Sequence, residues 1–146
     1  MQQNDRSHIY SFSGDYRWLS NFAGAQVTFL SMEFKTVEHA YQAAKCINPD
    51  DMVMIQSART PGDAKRLGQR VRMQPDWYEC RVAIMLGLLQ QKFAPGSDYA
   101  TKLIATGNAE IIEGNTWGDT FWGKCGNVGQ NHLGKLLMQI RDELRR

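Results

Sequence analysis

The sequence is poor in the features that mark secreted, membrane and metal-binding proteins. It has three cysteines and four prolines in 146 residues. The cysteines, Cys46, Cys80 and Cys125, are odd in number, widely spaced and free of any CxxC pair, so they form no zinc pattern and favour a reducing compartment. No apolar run approaches the ~18 residues of a membrane span, and the polar start MQQNDRSHIYSF lacks the apolar segment of a signal peptide. We therefore expect a cytoplasmic protein without a membrane segment.

Other function classes are excluded by what the charged residues and histidines lack. The pair Glu38-His39 is not followed by the second histidine of HExxH, so the zincin motif is absent and we expect no metal. The net charge of +2 is too small to identify a nucleic-acid-binding protein by charge alone.

The composition is that of an ordinary globular chain. Hydrophobic residues make up 42% and charged residues 22%, which argues against disorder, collagen and coiled coil. With no repeat, low-complexity tract or linker-like stretch, we expect a single compact domain over residues 1–146.

Helical patterns dominate from Thr36 onwards. Thr36 is a predicted N-cap, and Thr60 followed by Pro61 predicts another helix start. The predicted helices cover residues 36–46, 51–57, 60–69, about 75–93, 99–105 and 132–144. Alternating aromatic and β-branched residues predict short strands around residues 10–12, 27–29 and 110–113. The predicted fold class is therefore α+β, mostly α-helical, with a few short β-strands.

Three segments hold residues suited to chemistry, and each has a plainer interpretation. The long loop of residues 113–131 contains five glycines and two tryptophans; it is either a ligand-binding loop or an Ω-loop packed by its own aromatics. Glu38, Gln42 and Lys45 share one stripe of a helix, which faces either a cleft or solvent. Residues 59–72 are rich in arginine and lysine, and form either a phosphate-binding or a solvated basic face.

Four sequence pieces, in order along nearly the whole chain, resemble the YbiA-like or NADAR family (NAD and ADP-ribose associated). They are WLSNF at 18–22, TVEHAYQAAK at 36–45, DTFWG at 119–123 and GQNHLGKLLM at 129–138. The resemblance implies an enzyme, an N-glycosidase, that hydrolyses the bond between a ribose C1 and a nitrogen without a metal or redox cofactor. It implies either a small nucleotide-like substrate, such as an early riboflavin-pathway ribosylaminopyrimidine phosphate, or ADP-ribose on guanine, free or in nucleic acid.

The resemblance also points to site residues. Glu38 is the expected acid or base, because cleavage at a sugar C1 needs a carboxylate near the anomeric carbon. Lys45 is either a nucleophile that forms a Schiff base or a cation that positions a phosphate or Glu38. Asp119 is expected to bind a ribose hydroxyl or stabilise the cationic sugar. The expected substrate-binding residues are Asn21, Phe22, Gln42, Arg66, Trp122, Gly123 and Asn131.

A second hypothesis belongs to a different class of protein. The chain could bind NAD or ADP-ribose as a non-catalytic sensor module. A pure binding module would need the stacking loop but not Glu38 and Lys45 together, so the presence of both favours the enzyme.

Overall fold

The chain folds mainly into helices. A computed structural model describes residues 8–146. The helices of this part are α1 (Val37–Ala44), α2 (Pro49–Gln56), α3 (Pro61–Gly68), α4 (Trp77–Lys92), α5 (Asp98–Ala105) and α6 (His132–Leu144), with a 3-10 helix at Gly14–Leu19. The short strands are β1 (His8–Ile9), β2 (Gly24–Phe29), β3 (Met32–Thr36) and β4 (Glu110–Ile111). The predicted fold class, α+β and mostly helical, is confirmed.

The described residues divide into two compact units. One consists of the described residues up to Ser20 together with Phe93–Arg146, and the other of Asn21–Lys92. The single domain over residues 1–146 stays a prediction, and residues 1–7 lie outside the described part. Within residues 8–146, no helix combines the length and apolarity needed to cross a membrane.

The second unit begins with an antiparallel hairpin of β2 and β3. Phe29 pairs with Met32, so the loop is only Leu30 and Ser31, with φ of 50° and 66°. Two positive φ angles are typical of the type I′ turn that connects twisted strands. The sequence pattern predicts β2 but not β3, because this turn lacks the glycine or asparagine that is typical of such turns.

The second strand of the hairpin leads directly into α1. Thr36 is extended, and its hydroxyl accepts a hydrogen bond from the backbone N–H of His39 at 3.0 Å, which confirms the predicted N-cap. Helices α2 and α3 pack on α1, and each begins with a proline behind a capping side chain, Asn48 and Thr60. Every residue of α1 is buried, so this helix is the centre of the second unit.

His39 fastens α1 to the segment after α2. Its Nε2 lies 3.0 Å from the Ala58 carbonyl oxygen and its Nδ1 lies 2.7 Å from Thr36 Oγ1. Because the carbonyl only accepts, Nε2 carries the proton and Nδ1 accepts from the Thr36 hydroxyl. Burial is the main cause that lowers the pKa of His39 below 6.5, outweighing the opposing effect of the Ala58 carbonyl, and the charge of Lys35 lowers it further. The ring therefore fits its site as a neutral group.

The first unit is built from β1, β4, α5 and α6. Strands β1 and β4 pair in parallel, with His8 opposite Glu110, and α6 packs on both β4 and α5. The prediction of a strand at residues 10–12 is wrong: the strand is His8–Ile9, and Tyr10 is 67% exposed. The ring of Tyr10 stacks on that of His8, with 5.3 Å between the ring centroids. The aromatic side chain at position 10 thus makes a surface contact and is not part of a strand.

We expect the His39 site to make stability depend on pH. The unfolded chain takes up a proton near pH 6.5, whereas the folded chain resists protonation because the pKa of His39 is lowered. Stability from this site is therefore complete above the unfolded pKa and is lost as the pH falls through the folded value. Thermal melting of the protein and of His39→Gln from about pH 8 to about pH 5.5 checks this. The gap in Tm should narrow as the pH falls, and a constant gap would contradict the assignment.

Candidate active site

The polar stripe of α1 is buried rather than solvated. Glu38 is 8% exposed and Gln42 is 5% exposed, and Gln42 Nε2 donates to Glu38 Oε2 at 2.7 Å. Lys45 follows at the C-cap of α1 and is half-buried. A carboxylate, an amide and an amine thus lie along one side of a helix that has no exposed residue, and the interpretation as an ordinary solvated face is wrong.

Partial burial changes the protonation of the Lys45 amine. Burial lowers the pKa of Lys45 below 10.5, while the negative charges of Glu38 and, less strongly, Cys46 raise it. Because burial is the largest cause, a larger share of the amine is neutral near pH 7 than in an exposed lysine. Only the neutral amine has the lone pair that attacks carbon.

Asn21 joins this cluster through its backbone and its side chain. Its carbonyl oxygen accepts a hydrogen bond from the Glu38 backbone N–H at 3.1 Å, which ties Asn21 to the first turn of α1. The side chain is 8% exposed, and its Nδ2 reaches the sulfur of Met85 at 3.5 Å. The neighbouring Phe22 is half-buried.

Two amide oxygens in this cluster lack hydrogen-bond partners. Asn21 Oδ1 and Gln42 Oε1 are both buried, and neither has a partner among the described residues. Buried polar atoms in native proteins are nearly always hydrogen-bonded to protein or to water. Each oxygen therefore keeps an unused capacity to accept a hydrogen bond.

Gly68 has a role in this cluster that our sequence analysis missed. A Cβ built on Gly68 would lie 1.9 Å from Gln42 Oε1 and 3.1 Å from Gln42 Cβ. Helix α3 therefore approaches α1 so closely that only glycine leaves room for the Gln42 side chain. The glycine near the end of a predicted helix looks like a stop signal in the sequence, and only the tertiary structure reveals the contact.

Arg66 has a different environment from the buried cluster. It lies on α3 with a side chain that is 66% exposed, and it pairs with Asp63 three residues earlier. Its guanidinium thus has a carboxylate partner at the surface, and its predicted contact with a pyrophosphate stays a prediction.

The predicted site residues of the first unit lie in the 113–131 loop. Asp119 Oδ1 accepts hydrogen bonds from the backbone N–H groups of Phe121 at 3.1 Å and Trp122 at 2.9 Å. The Trp122 ring meets the edge of Phe121 with 4.9 Å between centroids. A Cβ on Gly123 would lie 2.0 Å from the Glu113 carbonyl oxygen. Asp119 therefore shapes the turn that presents Trp122.

Asn131 closes the loop by bonding to its beginning. Its Oδ1 accepts from the Glu113 N–H and its Nδ2 donates to the Ile111 carbonyl, both at 2.9 Å. The residue is 3% exposed and adopts a left-handed conformation with φ of 57° at the start of α6. Because its oxygen and its nitrogen each already have a backbone partner, a substrate contact by Asn131 stays a prediction.

The predicted residues are thus divided between the units. Asn21 and Gln42 each form a hydrogen bond with Glu38 in the second unit, and Lys45 lies at the end of the helix that carries Glu38 and Gln42. The residues in the first unit are Asp119, Trp122, Gly123 and Asn131. In the part of the chain that is described, no group of three or more His, Cys, Asp or Glu side chains is placed to hold a metal ion.

Comparison with known families identifies the chain. The NADAR domain model matches residues 8–145. The chain belongs to the NADAR family. An N-glycosidase of Nostoc punctiforme is 34% identical over 94% of this chain and 92% of that protein.

Two further proteins are similar to this chain over more than nine tenths of its length. The N-glycosidase YbiA of Escherichia coli is 32% identical over 99% of this chain and 91% of its own. The NMR structure of E. coli YbiA matches with a TM-score of 0.82 at 30% identity, covering 94% of this chain and 83% of that chain. A riboflavin biosynthesis protein of Vibrio vulnificus is 31% identical over 94% of this chain but 38% of its own length. The predicted enzyme class, a hydrolase that acts on N-glycosyl bonds, is confirmed at the level of the family.

Two glycine substitutions test the close approach of α3 to α1 in this NADAR chain. Gly68→Ala should destabilise the fold by roughly 1–3 kcal/mol, the usual cost of overpacking, because the added methyl meets Gln42. Gly87→Ala is the matched control: a Cβ at this position of α4 meets nothing within 4 Å. It should stabilise the fold by about 0.5–1 kcal/mol, since alanine is the better helix former.

Urea unfolding of the two variants measures both effects. Equal changes in the midpoint for Gly68→Ala and Gly87→Ala would contradict the close contact between Gly68 and Gln42.

Proposed function

We propose that this chain hydrolyses the bond between a ribose C1 and a base nitrogen, with Glu38 as the acid and base and Lys45 as the nucleophile. The observation that carries the proposal is the buried Glu38–Gln42 pair on α1 with the half-buried Lys45 at the end of the same helix. Breaking this bond builds positive charge on the sugar and negative charge on the leaving base. A carboxyl group and an amine on one side of the same helix, both at least partly withdrawn from water, can meet both needs.

The Glu38–Gln42 hydrogen bond supports the role of Glu38. The Gln42 amide donates to Glu38 Oε2 at 2.7 Å. A protonated Glu38 carboxyl can give its proton to the leaving base nitrogen, and the resulting carboxylate can then take a proton from water. The Gln42 amide fixes the orientation of the carboxyl through both steps.

The lowered pKa of Lys45 supports a covalent route. The neutral Nζ forms a bond to C1 as the bond between C1 and the base nitrogen breaks, and Glu38 supplies a proton to the departing base. Nζ then loses two protons, one to the Glu38 carboxylate and one to the ring oxygen as that oxygen leaves C1, so an imine joins Lys45 to the open sugar. Water then adds to C1, the C1–Nζ bond breaks, and the free sugar and the amine of Lys45 are released.

A small N-ribosyl phosphate is the proposed substrate class. The Vibrio relative that aligns with this chain is named as a riboflavin biosynthesis protein, which supports a ribosylaminopyrimidine phosphate of that pathway. A substrate with a single phosphate needs few cations to bind it. Arg66 is already paired with Asp63, which is compatible with a substrate of this kind. ADP-ribose linked to guanine is the second substrate to test. The free thiols of the three cysteines support the proposed cytoplasmic location.

The first test of this mechanism removes the acid. Glu38→Gln should lower kcat on a ribosylaminopyrimidine phosphate by about 10²–10⁴-fold, the usual contribution of a positioned general acid or base, because glutamine cannot transfer the proton. Chromatographic release of the base measures the rate, and circular dichroism checks that the variant is folded. Full activity of folded Glu38→Gln would refute the assigned acid.

Borohydride reduction during turnover tests the covalent step in the same samples. The imine should be trapped as a sugar adduct on Lys45, and mass spectrometry should find no adduct in Lys45→Met. Lys135→Met, at an exposed position of α6, is the control and should keep both adduct and activity. Turnover without any adduct would show that water attacks C1 directly. Binding of ADP-ribose with no release of base from any substrate would support the sensor module instead.

The salt dependence of the rate separates the two substrate classes. We expect kcat/KM to stay nearly flat between 50 mM and 200 mM salt if the substrate is a small metabolite. A protein that holds a nucleic acid through several phosphates loses orders of magnitude in affinity over this range. The measurement compares a ribosylaminopyrimidine phosphate with a DNA oligonucleotide that carries ADP-ribosylated guanine. Faster cleavage of the oligonucleotide with a steep loss in salt would reject the metabolite.

A further inference from the structure

The first unit contains a cleft that the proposed mechanism does not use. Its volume is about 310 Å³, within the range of about 300–1,000 Å³ typical of sites for small ligands. Its lining residues are Asp15, Tyr16, Trp18, Lys102, Ala105 and Thr106. The 3-10 helix supplies the first three and the end of α5 the others, so the cleft lies within one unit.

One wall of the cleft combines aromatic rings with a cation. Lys102 Nζ lies 6.0 Å from the centre of the Trp18 ring, at the outer limit of a cation–π contact. The Trp18 ring also meets the buried Phe93 edge-on at 6.3 Å, which holds it in place. Tyr16 is 39% exposed. Aromatic faces of this kind stack on nucleobases, and an adjacent ammonium attracts phosphate.

A second cation, Arg141, lies behind Thr106 and belongs to no ion pair among the described residues. Arg141 is 4% exposed, and its Nη1 donates to Thr106 Oγ1 at 2.8 Å. Its Nε is buried and has no partner among the described residues, and none of their ion pairs includes Arg141. Buried charges in proteins are normally paired, because an isolated charge is costly away from water.

Thr106 links this buried charge to the cleft. Its hydroxyl donates to the Leu103 carbonyl at 2.6 Å, so a lone pair of the oxygen is left to accept from Arg141. Burial lowers the pKa of Arg141, and the nearby charge of Arg145 lowers it further, against a smaller opposing effect of Asp142. An anion bound near Thr106 and Lys102 would interact favourably with the positive charge of Arg141.

We propose that this cleft binds a nucleoside 5′-phosphate, at a site separate from the proposed catalytic group. The phosphate lies near Lys102 and gains from the charge of Arg141 behind Thr106. The base stacks on Tyr16 and Trp18, and the carboxylate of Asp15 accepts a hydrogen bond from a ribose hydroxyl. The inference concerns a second site, and it stands whether or not Glu38 and Lys45 perform the hydrolysis.

Calorimetry with adenosine 5′-monophosphate tests the site. The full chain should bind this nucleotide, whereas adenosine and inorganic phosphate, each lacking one of the two recognised parts, should bind at least about tenfold more weakly. Lys102→Gln, an exposed residue, should weaken the binding by a similar factor. Lys135→Gln, at an exposed position outside the cleft, is the matched control and should bind like the unmodified chain. Equal affinity of Lys102→Gln, or of adenosine, would overturn the proposal.

Two further measurements assign the binding to this cleft. Lys45→Met, whose changed residue does not line the cleft, should bind the nucleotide normally, whereas Trp18→Leu should not. Loss of binding in Lys45→Met with normal binding in Lys102→Gln would place the nucleotide at the proposed catalytic group and overturn the inference. A 5′-phosphorylated oligonucleotide that competes for the same site with higher affinity would identify the nucleotide as the end of a nucleic acid strand.

Discussion

The arrangement of the second unit depends on the complete burial of one short helix. Helix α1 has only eight residues, all of them buried, and a helix of this length is not stable alone in water. Its polar groups need internal partners, and the surrounding segments supply them. The Thr36 hydroxyl accepts from the His39 N–H, the Asn21 carbonyl accepts from the Glu38 N–H, and the Ala58 carbonyl accepts from the His39 ring. These bonds fix the first turn of α1 and with it the position of the Glu38 carboxylate.

The parts of the fold that the sequence predicted are those with strong local signals. Thr36 and Thr60 accept hydrogen bonds as N-caps where the pattern placed them, because a hydroxyl before a helical segment has few other uses. The parts that were missed depend on tertiary context. The turn at Leu30 and Ser31 takes positive φ angles that its side chains disfavour, and only the pairing of β2 with β3 holds it there. The 3-10 helix lies in a segment that composition alone marks as turns.

In the candidate site, too, local features could be predicted from the sequence and tertiary contacts could not. Glu38, Gln42 and Lys45 follow from their spacing on one helix, and the structure supplies the burial that the spacing left open. The contact between Gly68 and Gln42 joins two helices across 26 positions of the chain, so no local pattern announces it. The 113–131 loop is an intermediate case. Its glycines and tryptophans marked it as unusual, whereas the hydrogen bonds that hold it come from Asp119 and Asn131 acting on backbone groups.

Three buried amide side chains that look equivalent in the sequence differ in how many of their hydrogen-bonding atoms already have partners. The side-chain oxygen and nitrogen of Asn131 both form hydrogen bonds with backbone groups, those of Glu113 and Ile111. Asn131 therefore holds the start of α6 to the segment around residues 111–113. Asn21 and Gln42 each leave a buried oxygen without a partner in the described chain, although an apolar side chain of similar size would avoid that cost. A fold that keeps such oxygens beside a buried carboxylate gains nothing in stability from them.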